Sequence, residues 1–120
     1  MTTATILGTT VYGQASGNYD GSSQDWTSPA VQAANYYRGQ GSVQTIGFTV
    51  TGFEGTMVVE ATLDSDPDSA GWFDTYNYTA GSIVPVSGYS TTSILGNFTW
   101  IRIRVEDFDA GTINSVVITY

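Results

Sequence analysis

The stretch Phe98 to Tyr120, FTWIRIRVEDFDAGTINSVVITY, limits the fold more than any other part of the chain. Ile101, Ile103 and Val105 alternate with Trp100, Arg102, Arg104 and Glu106. A period of two puts the aliphatic set on one face of a strand, toward a core, and the charged set on the other. The second run offers Ile113 and then Val116, Ile118 and Tyr120, a change of phase that requires a bulge near Asn114-Ser115. With Asp109-Ala110-Gly111 between them, the two runs read as the arms of a β-hairpin.

The rest of the chain continues in short β-like runs. Ala4 to Tyr12 predicts a first strand at a sheet edge, bent at Gly8. Gly13 to Pro29 is rich in Gly, Ser, Asn, Asp and Gln and predicts a long irregular loop, a natural contact element, with Tyr19 and Trp26 as its large residues. Ala30 to Arg38 is read as a strand, although Pro29 and Gly39 would also suit the ends of a short helix. In Ser42 to Thr51, Ile46, Phe48 and Val50 share one face, and Gly52-Phe53-Glu54-Gly55 follows as a turn. Thr56 to Leu63 alternates again, with Met57, Val59, Ala61 and Leu63 inward and Thr56, Val58, Glu60 and Thr62 outward. Asp64 to Gly71 is a turn cluster, and the aromatic run Trp72 to Tyr78 is expected to pair with the strand before it. Ile83 to Val86 carries Pro85 and suits an edge, and Tyr89 to Leu95 leads through Gly96-Asn97 into the final stretch. Eight or nine short strands without a long helix predict a single antiparallel β-sandwich, jelly-roll or Ig-like, with a small barrel as the alternative. With no linker-like shift in composition, residues 1–120 are read as one domain.

Composition narrows the function classes. Eleven acidic residues against Arg38, Arg102 and Arg104 give a formal charge of −8, which repels nucleic-acid phosphates and anionic membrane surfaces. The sequence has no His, Lys or Cys, so common catalytic triads and Cys/His zinc sites cannot be assembled within it. No apolar run reaches the ~18 residues of a membrane span, and the first residues lack the pattern of a secretory signal. Asp64, Asp66 and Asp68 alternate as calcium ligands do, but Ser69 stands where a helix–loop–helix calcium loop needs glycine and Thr75 where it needs glutamate. That cluster is read as a solvated turn. Glu60 and Glu106, on outward strand faces, are read as partners of Arg102 and Arg104 and not as a glycosidase pair. The expectation is a non-enzymatic protein with no metal and no cofactor.

Aromatic residues make up 13% of the chain, enough that some are expected at the surface. Trp72, Tyr76 and Tyr78 stand at even spacing and are expected to share a strand face. Trp26, Trp72, Trp100, Arg102 and Arg104 are the candidate interface residues, because Trp and Arg dominate the energetics of protein contacts. Packing of these rings into a sandwich core is one alternative, and a carbohydrate-binding face built on Trp26, Trp72 and Tyr76 is the other.

Two pieces, GFEGTMVVEATLDSDPDSAGWFDTY and GNFTWIRIRVEDFDAGTINSVVITY, resemble a β-sandwich module of tailed-bacteriophage structural proteins. The matching residues are Gly55, Thr56, Glu60, Asp64 and Trp72, then Asn97, Phe98, Trp100, Arg102, Arg104, Gly111 and Thr112. The opening ILGTTVYGQASGNYDGSSQDW resembles small virion proteins of contractile-tailed cyanobacterial phages. The resemblance implies a virion structural protein without catalytic residues or cofactor, assembled in many copies with other virion proteins such as the major capsid protein or tail components. Small size favours capsid decoration or cementing; a tail or baseplate module, or a carbohydrate-binding module at the tail tip, are the alternatives.

Overall fold

The computed structural model describes residues 3–33, 43–68, 71–80, 86–96 and 98–120. The parts of the expected segments Ala30–Arg38 and Ile83–Val86 that fall at 34–38 and 83–85, and Asn97, lie outside the described residues. The chain is all-β, with the strands β1 (Thr3–Leu7), β2 (Thr10–Val11), β3 (Trp26–Thr27), β4 (Val31–Gln32), β5 (Val43–Thr62), β6 (Phe73–Ala80), β7 (Val86–Leu95) and β8 (Trp100–Thr119). All eight pair antiparallel within one open sheet, where the sequence reading expected two sheets face to face.

The main departure from expectation is that β5 and β8 are each a single strand of 20 residues. Gly52–Gly55 and Asp109–Gly111 are not hairpin turns. β8 pairs with β5 along its whole length, from Thr45↔Thr119 to Thr62↔Trp100, and the register shifts where the turn signals stand. Gly52 (φ 60°), Gly111 (φ 88°) and Asp107 (φ 52°) adopt positive φ there, so both strands bend at the same level. The phase change foreseen near Asn114 does occur: pairing jumps from Thr49↔Ser115 to Val50↔Ile113, leaving Asn114 as the extra residue.

The bend doubles the sheet back on itself. Straight strands of this length would run for roughly 66 Å, yet the longest dimension of the molecule is 41 Å. Phe48 stacks on Tyr78 with ring centroids 5.1 Å apart, although Tyr78 is the cross-strand partner of Met57, nine positions further along β5. The inner face is therefore closed on itself. Ile46, Phe48 and Val50 from one half of β5 and Met57, Val59 and Ala61 from the other join Ile101, Ile103, Val105, Ile113, Val116 and Ile118 of β8 in one buried cluster. These are the positions that alternation in the sequence assigned to the core, but Leu63 is 60% exposed beyond the end of β5, and Val58 and Thr62, expected outward, are buried.

Residues 3–33 run antiparallel along β8 as an interrupted edge. β1 and β2 follow its C-terminal half and β3 and β4 its N-terminal half, and the chain breaks between β1 and β2 at Gly8, as the sequence suggested. Between β2 and β3 the long loop folds inward: Tyr19 is buried and packs on Trp26 and Phe108, with centroids at 5.2 and 5.1 Å. The Gly13 amide donates to the Tyr19 hydroxyl, and Ser16 and Tyr19 exchange backbone hydrogen bonds. Phe108, within the bend between Asp107 and Gly111, also meets Phe53 at 5.8 Å and so links the loop to the core of the sheet.

Candidate functional site

β5 and β6 form the expected strand, acidic turn and strand, but a bulge interrupts their ladder. Val59 pairs with Tyr76 and Glu60 with Asp74, which leaves Thr75 unopposed, its hydroxyl donating to the Val59 carbonyl. An extra residue reverses the face of everything beyond it. Tyr76 and Tyr78 turn inward onto Phe48, whereas Asp74 and Trp72 lie on the outer face. The single aromatic face expected from even spacing is thus divided.

On that outer face Glu60 stands between the two described arginines. Arg102 Nε donates to Glu60 Oε1 at 2.7 Å and Arg104 Nη1 to Oε2 at 2.6 Å. Arg104 also donates through Nη1 and Nη2 to both oxygens of Asp74, at 3.0 and 3.2 Å, and through Nε to Glu106 at 2.9 Å. Glu60 is only 4% exposed, although alternation placed it on an outward face. The guanidinium groups bury it while supplying the charge-assisted hydrogen bonds that make a buried carboxylate tolerable. Arg102 then lies over the Trp72 ring, 4.3 Å from its centroid, in cation–π geometry. Two guanidinium groups meet three carboxylates here, so the cluster keeps an excess of one negative charge. The hydrogen bond from Arg104 holds the Asp74 carboxyl below its ordinary range, and the same bond, followed by that to Glu106, raises Arg104 further above its own.

The five candidate interface residues are distributed unequally. Trp72, Arg102 and Arg104 come together in this network. Trp100, on the same side of β8, is partly exposed and anchored by Nε1 donating to the Ser65 carbonyl at 3.0 Å. Trp26 is in the core, 9% exposed, with its Nε1 buried and unpartnered among the described residues. It offers no ring face to a partner in the folded chain, and Trp26, Trp72 and Tyr76 do not form a common stacking platform. In the acidic turn, Asp64 Oδ2 accepts from the Gly71 amide and Asp66 Oδ1 from the Asp68 amide, so these carboxylates organise the turn itself. No group of three or more potential metal ligands gathers among the described residues.

A second feature emerges only when the charges are placed on the sheet. Every acidic residue and both described arginines fall within 20–25, 54–74 and 102–109, that is, on the acidic turn, the network, the bend and the loop beside it. The other half of the folded sheet carries none. It consists of β1, β2, β5 from Val43 to Phe53, β7, and β8 from Gly111 onward, all without a charged side chain. Its outer face is threonine and serine, with Thr3 and Thr119 hydroxyls 3.1 Å apart and those of Thr45 and Ser93 at 2.9 Å. Val43, Tyr89 and Leu95 stand exposed on that face. The stretch from Thr75 to Ile101 shows the absence of charge in the sequence, but its clustering becomes visible only through the pairing of β7 with β5. No protein-family model, no curated protein and no solved structure matches this chain.

Proposed function

We propose that this chain is a non-enzymatic structural protein of a bacteriophage virion, most specifically a capsid decoration or cement protein, with a tail or baseplate module as the alternative place in the particle. The observation that carries the reading is the division of the folded sheet into an acidic, internally ion-paired half and a charge-free half with exposed Tyr89, Leu95 and Val43. Such a surface suits repeated packing between protein surfaces: short hydroxyl side chains lose little conformational entropy on contact, and both described arginines are already fixed by carboxylates. The sequence resemblance supports the same reading, since Glu60, Trp72, Arg102 and Arg104 build the network and Gly55 and Gly111 lie at the bend.

The test is co-sedimentation of the purified protein with empty capsids and, separately, with isolated tails of a contractile-tailed cyanobacterial phage. Saturable binding to capsids supports decoration, and binding to tails alone supports the alternative place. Binding to neither at micromolar concentration overturns the virion reading.

A further inference from the structure

Among the described residues β7 is an edge strand whose only ladder is with β5, and from Leu95 to Gly88 its register runs without a bulge, from Val43↔Leu95 to Val50↔Gly88. In an antiparallel edge strand every second residue turns its N–H and C=O away from the sheet. Soluble proteins usually protect such an edge with lysines, prolines, bulges or inward-pointing charges. The sequence GYSTTSIL from Gly88 to Leu95 has none of these. It is instead rich in residues suited to strands, and Tyr89 and Leu95 are 84% and 70% exposed.

We infer that β7 is the self-association edge of this protein, pairing antiparallel with β7 of a second copy so that the charge-free halves of two sheets become continuous. The inference rests on the assembly reading above and adds the partner and the surface to it. Three observations select a second copy as the occupant. An antiparallel pair of identical strands is self-complementary about a two-fold axis, so one strand supplies both sides of the interface. A chain of charge −8 repels its own copies wherever carboxylates face each other, and the half built around β7 is free of charged residues. On the outer face Tyr89 and Leu95 flank Thr91 and Ser93, so rings and aliphatic groups of both copies pack beside the shared ladder.

Light scattering of the full chain across micromolar to millimolar concentration tests this, together with hydrogen exchange. A dimer is expected, with amides of β7 gaining protection as concentration rises. Tyr89→Asp and Thr91→Asp put carboxylates on exposed positions at the edge and are expected to weaken the dimer at least about tenfold. Phe73→Asp, on β6 and exposed near the acidic turn, is expected to leave it unchanged. Circular dichroism of each variant separates loss of association from loss of fold. A monomer at every concentration overturns the inference, as does a dimer disrupted by Phe73→Asp and not by the β7 variants. A monomer that still sediments with capsids would sink self-association through β7 and leave the virion reading standing.

Discussion

The backbone of Gly111 lies so close to the carbonyl of Gly52 that a methyl group on Gly111 would sit 2.2 Å from the Gly52 oxygen. This contact joins β5 and β8 where both bend, and φ at Gly111 is 88°. Gly111→Ala therefore forces apart the two strands that define the fold, in a conformation that L residues adopt at a cost. The expected loss is more than about 2 kcal/mol, read from the urea midpoint. Gly47→Ala is the control: its methyl would rest 3.6 Å from Val117 and 3.9 Å from Thr91, and stability is expected to stay within about 0.5 kcal/mol.

Glu60 accepts from both Arg102 and Arg104 while nearly excluded from water. Glu60→Gln keeps the shape but leaves two guanidinium groups facing a neutral amide. The expected cost is about 2 kcal/mol, less than for a fully buried pair because both arginines remain partly solvated. Asp74→Asn, at a carboxylate about half exposed, is expected to lower the urea midpoint by clearly less than Glu60→Gln does.

Trp72 supplies the ring beneath Arg102. Trp72→Ala is expected to lower stability by about 1 kcal/mol, and Trp72→Leu to recover part of the burial but not the cation–π term. Equal stability of Trp72→Leu and the parent protein would show that the stacking contributes nothing.

Trp26 combines a well-packed ring with a buried Nε1 lacking a partner among the described residues. Trp26→Ala opens a cavity worth about 3–5 kcal/mol. Trp26→Phe also loses volume but removes the unpaired donor, whose burial costs about 1–3 kcal/mol, so it is expected to lie far closer to the parent. A Phe variant as unstable as the Ala variant would show that the indole N–H has a partner.

Acid should weaken the fold in a defined window. Hydrogen bonding to Arg104 lowers the Asp74 pKa from 3.8, and hydrogen bonds from the Ser23 hydroxyl and the Ser22 and Ser23 amides bring Asp20 to about 2. A carboxyl with a depressed folded pKa contributes stability above its unfolded value and loses it as pH falls through the folded one. Urea midpoints are therefore expected to decline as pH drops from about 4 toward 2. Asp20→Asn and Asp74→Asn should each flatten the decline; an unchanged slope in both variants would refute the assignment.

Much of the fold was legible from local pattern. Alternation in Ile101–Val105 reports which side chains leave water, and that is a local property of a strand; in Met57–Ala61 it found the core set but not the burial of Val58 and Glu60 on the other face. The phase change after Ile113 requires an extra residue wherever the strand goes, so the bulge at Asn114 could be foreseen. Opposite charge on neighbouring strands likewise indicated Glu60 as partner to Arg102 and Arg104. The candidate site was harder to read, because one residue out of register at Thr75 moves Trp72 to the opposite face from Tyr76, and alternation alone gives no sign of it.

By itself, then, the sequence determined an all-β chain, its inward positions, and the places where its backbone must deviate. Tertiary structure decided that the deviations at Gly52 and Gly111 are bends in two long paired strands and not turns of separate hairpins. The same positive φ serves a turn and a bend, and the difference lies in which distant strand receives the next hydrogen bond. It also decided that Trp26 is core and that the charge-free segments form one half of the sheet, because burial and clustering depend on contacts between residues far apart in the chain.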